Sequence, residues 1–300
     1  MTCGCAADEI RITALNVDGS VGPHTAPDEH EHRHGHGHEH GHGHHDHDHD
    51  QHGAPGELAA GYVEQRGHTL EIEQAVLAKN DDLAQANRRW LLQRRVSAVN
   101  LMSSPGAGKT SLLERTVVEI GDRDISVIEG DQETTFDAQR IQRAGARAVQ
   151  VNTGAGCHLD ASMTGSALRQ LDPPEDGLVF IENVGNLVCP ALFDLGEHKK
   201  VVVISVTEGD DKPLKYPHMF AAADLVVVNK TDLLPYVDFD LARLERDAHR
   251  LNAGVEVMAL SVRDGHNLTS WYEWLRASLT ASSTDPDDAA EILAARSLGN

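Results

Sequence analysis

Thirteen of the nineteen histidines in this 300-residue chain lie between His24 and His52, where they alternate with glycine, aspartate and glutamate. Neutral imidazole is an intermediate ligand that suits nickel, zinc and copper, and flexible glycine lets the chain wrap metal ions without a preformed cage. An expression tag is the alternative, but a tag is normally a terminal block of consecutive histidines. We therefore interpret the tract as an intrinsic metal-binding segment. Its predicted ligands are His30, His32, His34, His36, His38, His40, His42, His44, His45, His47, His49 and His52.

A second group of residues has the types and spacing of a phosphate-binding loop. An apolar run over residues 96–102 is followed by Ser103-Ser104-Pro105-Gly106-Ala107-Gly108-Lys109-Thr110 and a helical stretch from Ser111. This is close to G-x-x-x-x-G-K-[ST], with Ser103 in place of the first glycine. The glycines let backbone N–H groups approach phosphates, Lys109 neutralises charge on the β- and γ-phosphates, and the Thr110 hydroxyl can bind Mg²⁺. The predicted contacts are Pro105, Gly106, Ala107, Gly108, Lys109, Thr110 and Ser111. A chance glycine-rich turn is disfavoured by the strand–loop–helix context.

The sequence Asn229-Lys230-Thr231-Asp232 directly follows another apolar run, residues 225–228. An aspartate there can accept hydrogen bonds from both N1–H and the exocyclic amine of guanine, a pairing that adenine cannot make. Alone, these residues are typical of a solvated turn, but after a phosphate loop they favour GTP over ATP. We predict that Asn229, Lys230 and Asp232 bind the base, with Ser261 and Val262 closing the pocket.

Two carboxylates that follow apolar runs are candidates for magnesium binding and catalysis. Asp131 and Glu182 both stand at predicted strand ends, where open α/β sheets bind ligands. Glu182-x-x-Gly185 resembles the D-x-x-G motif of other GTPases, whereas helix capping is the alternative for Asp131. No glutamine follows Gly185 to orient water, because Asn186 stands there, so we predict slow hydrolysis, on the order of 10⁻³ s⁻¹. Lys109, Thr110, Asp131 and Glu182 are the predicted catalytic set.

Cys157, His158 and Cys189 offer two thiolates and one imidazole, three of the four ligands of a tetrahedral site. Water or a group from a second subunit could supply the fourth. The alternative is that both cysteines are small buried hydrophobic residues, and their spacing does not show that they are close in space. The position of Cys189 after the Glu182–Gly185 motif favours metal, because a metal there could respond to the γ-phosphate.

The elements that must position these residues are short, β-branched apolar runs separated by helical or loop segments. Such runs are typical of strands buried on both faces, so we predict an α/β fold with a doubly wound, mostly parallel sheet of the P-loop type. The runs cover residues 96–102, 125–129, 148–151, 178–181, 201–206, 225–228 and 255–260. Leading helices are predicted over residues 70–95, with an apolar face that includes Val76, Leu77, Leu83, Trp90 and Leu91.

Composition sets the remaining boundaries. Residues 1–56 contain too little apolar surface to fold and are predicted to be disordered, residues 57–282 form the nucleotide domain, and residues 283–300 form a loose tail. The net charge of −21 argues against nucleic-acid or anionic-membrane partners. Four cysteines and the absence of an apolar leader favour a soluble cytoplasmic protein.

In combination, these motifs resemble those of the HypB family of GTPases, which help to insert nickel into the large subunit of [NiFe]-hydrogenase. The resemblance covers most of residues 70–279 and includes Glu129-Gly130-Asp131-Gln132, Gly156-Cys157-His158-Leu159, Glu182-Asn183-Val184-Gly185-Asn186-Leu187-Val188-Cys189-Pro190 and Asp211-Lys212-Pro213-Leu214-Lys215-Tyr216-Pro217. It implies a GTP-dependent homodimer, a HypA-type metallochaperone as partner, and a shared site for Ni²⁺, or Zn²⁺, built from Cys157, His158 and Cys189 near the dimer interface.

One departure concerns the N-terminus, where some family members have C-x-x-C-G-C as a tight nickel site. This chain keeps only the last two cysteines, Cys3 and Cys5. Removal of Met1 would expose the α-amine of Thr2, which could then serve as a third ligand. Two alternative functions stay open at this point. A metal-storage or detoxification protein would carry a vestigial nucleotide domain, which the intact Lys109, Thr110 and Asp232 argue against. A related GTPase could instead serve another nickel enzyme such as urease.

Overall fold

The computed structural model describes residues 11–14 and 55–280, apart from residues 122, 132–135 and 155. Contacts divide the chain into two compact units, residues 1–22 with 77–300, and residues 23–76. In the second unit the described residues are the first part of helix α1 (Pro55–Gln93). The predictions for Cys3, Cys5, the histidine tract and the tail 283–300 lie outside the described residues.

The described residues of the first unit contain an eight-stranded sheet in the order β1-β4-β3-β5-β2-β6-β7-β8. Every neighbouring pair is parallel except β1 and β4. The strands are β1 (Arg11–Ala14), β2 (Ser97–Ser103), β3 (Ile125–Asp131), β4 (Arg147–Asn152), β5 (Leu178–Glu182), β6 (Lys199–Ser205), β7 (Leu225–Asn229) and β8 (Glu256–Ala259). The predicted mostly parallel, doubly wound sheet is confirmed, and each of the seven predicted runs is a strand within a few residues of its predicted bounds.

Helices cover both faces of the sheet, which explains why its strands are apolar on both sides. In β2, for example, Val99 and Leu101 pack with helix α2, whereas Ala98 packs on the opposite face with helix α4. The helices after α1 are α2 (Lys109–Ile120), α3 (Phe136–Arg143), α4 (Ala161–Leu171), α5 (Lys212–Lys215), α6 (Pro217–Ala222), α7 (Leu241–Leu251) and α8 (Leu268–Thr280). Trp271 and Leu275 of α8 are fully buried.

Helix α1 buries only part of the apolar face predicted for it, since Leu91 is fully buried and Trp90 packs against the core. Val76 and Leu83 are 52% and 37% exposed, although the apolar pattern placed them towards the core. Among the α1 side chains from residue 74 onwards, which the structure describes, the buried ones are Asn80, Ala84, Asn87 and Leu91, which recur at helical spacing. The two asparagines satisfy backbone groups of neighbouring loops, which a larger apolar side chain could not do.

Strand β1 is an element that the sequence did not predict, because it lies inside the segment 1–56 for which no ordered element was expected. It pairs antiparallel with β4, with Arg11 opposite Asn152. No helix in the described part of the chain is long and apolar enough to cross a membrane. Since β2 to β8 are all parallel, their carboxyl ends share one edge of the sheet, and the loops with the predicted site residues leave from there.

Candidate functional site

The loop from Ser103 to Thr110 connects β2 to α2 and needs glycine at two points. Gly106 and Gly108 have φ of 76° and 101°, in the left-handed region that favours glycine. A Cβ atom at Gly108 would also lie 2.5 Å from the Asn229 side-chain nitrogen. The backbone of the loop can therefore turn tightly beside the segment predicted to bind the base.

Lys109 is held at the base of this loop by Ser103, which replaces the first glycine of the phosphate-loop motif. Its Nζ donates to Ser103 Oγ at 2.6 Å, and that hydroxyl donates to the Ser104 carbonyl at 2.6 Å. Burial lowers the pKa of Lys109, against the opposing attraction of Glu182. A phosphate anion in the loop would restore the preference for the charged ammonium.

Carboxylates gather next to Thr110. The Thr110 hydroxyl donates to Glu182 Oε1 at 2.8 Å, and Glu182 is only 4% exposed. Burial raises the pKa of Glu182, and burial together with the nearby Glu182 charge raises the pKa of Glu129 to about 9. The second carboxylate oxygens of both residues are buried without a hydrogen-bond partner among the described residues. A hard cation that prefers oxygen ligands, such as Mg²⁺, fits this donor set.

These groups surround a cavity of about 530 Å³ at the carboxyl edge of the sheet. Of the predicted residues, Ala107, Asn229, Asp232, Ser261 and Val262 do not line it. Its walls are Pro105, Gly106, Gly108, Lys109, Thr110, Ser111, Glu129, Gly130, Asp131, Asp137, Arg140, Glu182, Asn183, Val184, Gly185 and Lys230. The structure thus brings the phosphate loop and both predicted carboxylates into one pocket.

The residues predicted to bind the base form a connected group beside this cavity. Asn229 Nδ2 donates to the Ala107 carbonyl at 2.9 Å, and its Oδ1 accepts from Val262 N at 3.2 Å. Ser261 Oγ donates to Asp232 Oδ1 at 2.7 Å, which fixes the orientation of that carboxylate. Lys230 has a positive φ and donates to the Gly106 carbonyl at 2.7 Å. The two predicted halves of a nucleotide site are therefore joined by direct hydrogen bonds.

Several polar residues of the site were not singled out from the sequence. Glu129 lies two residues before Asp131 in β3, a spacing that places both side chains on one face and could have revealed it. Arg140 donates to Glu114 and Asp137 and reaches Ser111 Oγ at 3.3 Å. Glu208 accepts from Ser104 Oγ, and it completes a capping box of the S-x-x-E type that the sequence displays.

The structure also brings Cys157, His158 and Cys189 together, with ligand atoms that all lie within 4.8 Å of one another. The two Sγ atoms are 3.0 Å apart, and Cys157 Sγ is 3.6 Å from His158 Nδ1. The His158 ring stacks on Phe193 with a centroid distance of 4.0 Å, and burial lowers its pKa, which favours the neutral imidazole that metals require. All three residues are half-buried, so an ion could enter and leave.

Comparison with known proteins identifies relatives for most of the chain. Residues 97–259 match the family described as "CobW/HypB/UreG, nucleotide-binding domain". Hydrogenase maturation factor HypB of Rhizobium leguminosarum bv. viciae is 53% identical over 227 residues, which are 75% of this chain and 75% of that protein. HypB of Escherichia coli (strain K12) is 50% identical over 231 residues, 77% of this chain and 79% of that protein.

Two solved structures are similar in fold and sequence. HypB from Archaeoglobus fulgidus matches with a TM-score of 0.63 and 40% identity, over 67% of this chain and 99% of that one. HypB from Helicobacter pylori, solved in complex with nickel, matches with a TM-score of 0.65 and 36% identity, over 69% of this chain and 98% of that one.

Proposed function

The chain belongs to the HypB family of hydrogenase maturation factors and has its P-loop GTPase fold, and from this premise we propose that it is a GTP-hydrolysing nickel metallochaperone. In this proposal it stores nickel and promotes nickel insertion into the large subunit of [NiFe]-hydrogenase. GTP binding controls whether the metal is held or released.

One observation carries the proposal: a short segment joins the nucleotide cavity to the cysteine–histidine cluster. Residues 182–185 line the cavity, and Cys189, four positions further on, places its Sγ 3.0 Å from Cys157. A segment that contacts the γ-phosphate is a common site of ordering and release in GTPases. Cys189 would therefore move with the nucleotide state, whereas Cys157 and His158 belong to a different loop.

In the nucleotide half of the proposal, each residue has a separate task. Backbone N–H groups of the loop and the Lys109 ammonium bind the phosphates, and Asp232 selects guanine. Thr110, Asp131 and Glu182 would hold Mg²⁺, which when bound neutralises charge on the β- and γ-phosphates. Asn186 replaces the glutamine that orients water in fast GTPases, so hydrolysis is slow, as suits a switch.

In the metal half, nickel is the cargo. Two thiolates and a neutral imidazole provide a soft site for Ni²⁺ or Zn²⁺ that is one ligand short of tetrahedral. Val188 and Leu192, which flank Cys189, are 54% and 48% exposed. Apolar side chains exposed beside an incomplete site support a GTP-dependent homodimer formed across this surface. A HypA-type metallochaperone is the proposed partner in transfer, with the histidine tract as the store and Cys3 and Cys5 as a further N-terminal site.

The experiment that tests the proposal is a nickel titration of a variant without residues 24–52, with GDP and with a non-hydrolysable GTP analogue. We expect nickel affinities that differ between the two nucleotide states, and we expect Cys189→Ala to weaken binding and remove the difference. Equal affinities in both states for the unsubstituted cluster would show that nucleotide does not gate the metal. The chain would then be a GTPase that merely carries metal.

A second candidate function is nickel delivery to urease. It is supported by one relative, the Hydrogenase/urease maturation factor HypB of Helicobacter hepaticus, which is 44% identical over 204 residues, 67% of this chain and 84% of that protein. Deletion of the gene separates the two candidates. Loss of hydrogenase activity alone, restored by excess nickel, supports the first, and parallel loss of urease activity supports the second.

A further inference from the structure

Asparagine side chains hold the loop of Cys157 and His158 from two sides. Asn183 Oδ1 accepts a hydrogen bond from Leu159 N at 3.1 Å, and Asn80 Oδ1 accepts one from Ala161 N at 2.9 Å. Both asparagines are buried, with exposures of 1% and 5%. Each therefore satisfies a backbone donor that water does not reach, within three residues of His158.

The two asparagines differ in what lies behind them. Asn183 is a wall of the nucleotide cavity, directly after Glu182, and its Oδ1 also accepts from Val184 N at 3.0 Å. Asn80 belongs to α1, where its Nδ2 donates to the Asp194 carbonyl at 2.8 Å. Asn80 thus joins the loop to the chain beyond Cys189, whereas Asn183 joins it to the nucleotide cavity.

Leu159 contacts the cavity wall at a second point. Its side chain is fully buried against Gly130, where an added Cβ would lie 2.8 Å from Leu159 Cγ. Gly130 lines the cavity between Glu129 and Asp131. The residue next to His158 is therefore fixed by a hydrogen bond to one wall of the cavity and by close packing on another.

We propose that Asn183 is a positioning residue that transmits the nucleotide state to Cys157 and His158 through Leu159. A shift of the Glu182–Gly185 segment would pull on Leu159 N through the Asn183 side chain and so move the ligand pair, in addition to moving Cys189. Both halves of the cluster then respond to the nucleotide, and each through a different contact. The inference rests on the proposed gating of nickel, which it extends from one ligand to all three.

The test compares Asn183→Ala with Asn80→Ala, a matched pair because each removes one side-chain acceptor from the same loop. Both are made in the full chain with Cys3→Ala and Cys5→Ala, so that nickel–thiolate absorption reports only Cys157 and Cys189. A competing chelator fixes the concentration of free nickel, which makes loading of the histidine tract irrelevant. Nickel affinity is measured at saturating GDP and at a saturating non-hydrolysable GTP analogue.

In the parent we expect the two affinities to differ by at least about fivefold, the lower end of ordinary couplings between sites. Asn80→Ala should weaken nickel binding in both states and keep the parent's ratio, because it loosens the loop without touching the cavity. Asn183→Ala should bring the two affinities closer together, because only the movement of Cys189 then distinguishes the nucleotide states. By reciprocity, the effect of nickel on the affinity for the GTP analogue should fall by the same factor in that variant.

Three other outcomes would contradict the role of Asn183, the proposed gating or the path through Leu159. A ratio in Asn183→Ala equal to that of the parent, or an equal reduction of the ratio in Asn80→Ala, overturns the role of Asn183. Equal affinities in the parent overturn the proposed gating itself. If Asn183→Ala does not fold, Gly130→Ala provides the second test, because its Cβ displaces Leu159 from the cavity wall and should change the ratio. An unchanged ratio there contradicts transmission through Leu159.

Discussion

The nucleotide region and the metal region of this protein are built in contrasting ways. Lys109, Thr110 and Glu182 are at most 8% exposed, and they are hydrogen-bonded to one another or to their own loop. Cys157 and Cys189 are half-buried, lie 32 positions apart in sequence, and meet at the ends of two separate loops. In the first arrangement hydrogen bonds already hold the side chains in place, whereas the second depends on how two loops are held.

The difference teaches how one fold can combine a preorganised nucleotide cavity with a half-buried cysteine–histidine cluster. A buried, preorganised site spends little free energy on ordering when its ligand binds. A half-buried site on loops can gain or lose a ligand with a small movement, which is what transfer of a metal ion requires. Substitutions should therefore be able to disturb the two regions separately.

The largest effect is expected from Lys109→Ala. The ammonium lies in the phosphate loop, so its removal should lower the rate of GTP hydrolysis by on the order of 100-fold or more, as for other donors that stabilise a developing charge. Nickel binding to the cysteine–histidine cluster should persist. Phosphate release under single-turnover conditions measures the rate, with the exposed Lys79→Ala as a control. Near-normal hydrolysis would remove Lys109 from the catalytic set.

Asp232→Asn should weaken binding of the guanine base. The amide cannot accept both hydrogen bonds from guanine, so GTP should bind on the order of 100-fold more weakly, which corresponds to the loss of one charged hydrogen bond, while xanthine nucleotides should bind better. Competition binding with GTP and XTP is the measurement, and the exposed Asp238→Asn is the control. Unchanged GTP affinity would show that Asp232 does not recognise the base.

Glu129 provides a pH test that is specific to the buried region. Its pKa is about 9 in the folded protein and 4.5 when solvated, so between these values the unfolded chain has released a proton that the folded chain retains. The contribution is fully stabilising below pH 4.5 and is lost as pH rises towards 9, with a slope of at most about 1.4 kcal/mol per pH unit. Glu129→Gln should flatten this slope in urea unfolding of the nucleotide-free protein. The exposed Glu245→Gln should not, and identical slopes for the two variants would contradict the assignment.

The smallest effect on the nucleotide region is expected from removal of residues 24–52. The variant should then bind much less nickel and zinc than the parent, as measured by equilibrium dialysis, because twelve predicted ligands are removed with the tract. GTP hydrolysis should be unaltered, since the tract has no apolar surface with which to pack on the nucleotide domain. Replacement of the same histidines by serine is the matched control for chain length. A large loss of hydrolysis in either variant would show that the store is coupled to the switch.

Much of the fold and of the nucleotide site could be predicted from the sequence, because the motifs are contiguous. The phosphate loop and Asn229-Lys230-Thr231-Asp232 each place their chemistry within a few consecutive residues, so local backbone geometry determines the arrangement. The seven predicted strands were also found, because burial on both faces requires apolar runs that a sequence displays directly. Strand β1 was missed although Ile10, Ile12 and Ala14 alternate with Arg11 and Thr13, because the low apolar content of residues 1–56 as a whole outweighed this short pattern.

Helix α1 shows where apolar periodicity fails. The pattern correctly included Leu91, but it also included the exposed Val76 and Leu83. Asn80 and Asn87 share the buried face with Leu91 instead. Asn87 Nδ2 donates to the carbonyls of Ala161 and Leu195, at 2.7 and 3.0 Å. Buried backbone groups of loops need partners, and at this surface that need outweighs the burial of larger apolar side chains. The sequence of α1 alone does not show that Asn87 is needed there, because the carbonyls that it binds lie 74 and 108 positions away.

The sequence by itself determined the fold class, the phosphate loop and the position of the segment predicted to recognise guanine, since each depends on neighbouring residues or on the period of burial. Only the tertiary structure decided that Cys157, His158 and Cys189 meet, that Glu129 is a buried acid of the cavity, and that Asn183 links cavity and cluster. These facts depend on the order of strands in the sheet, which brings the ends of β3, β4 and β5 side by side. Proximity between residues far apart in the chain is a property of that order, and no spacing within one segment encodes it.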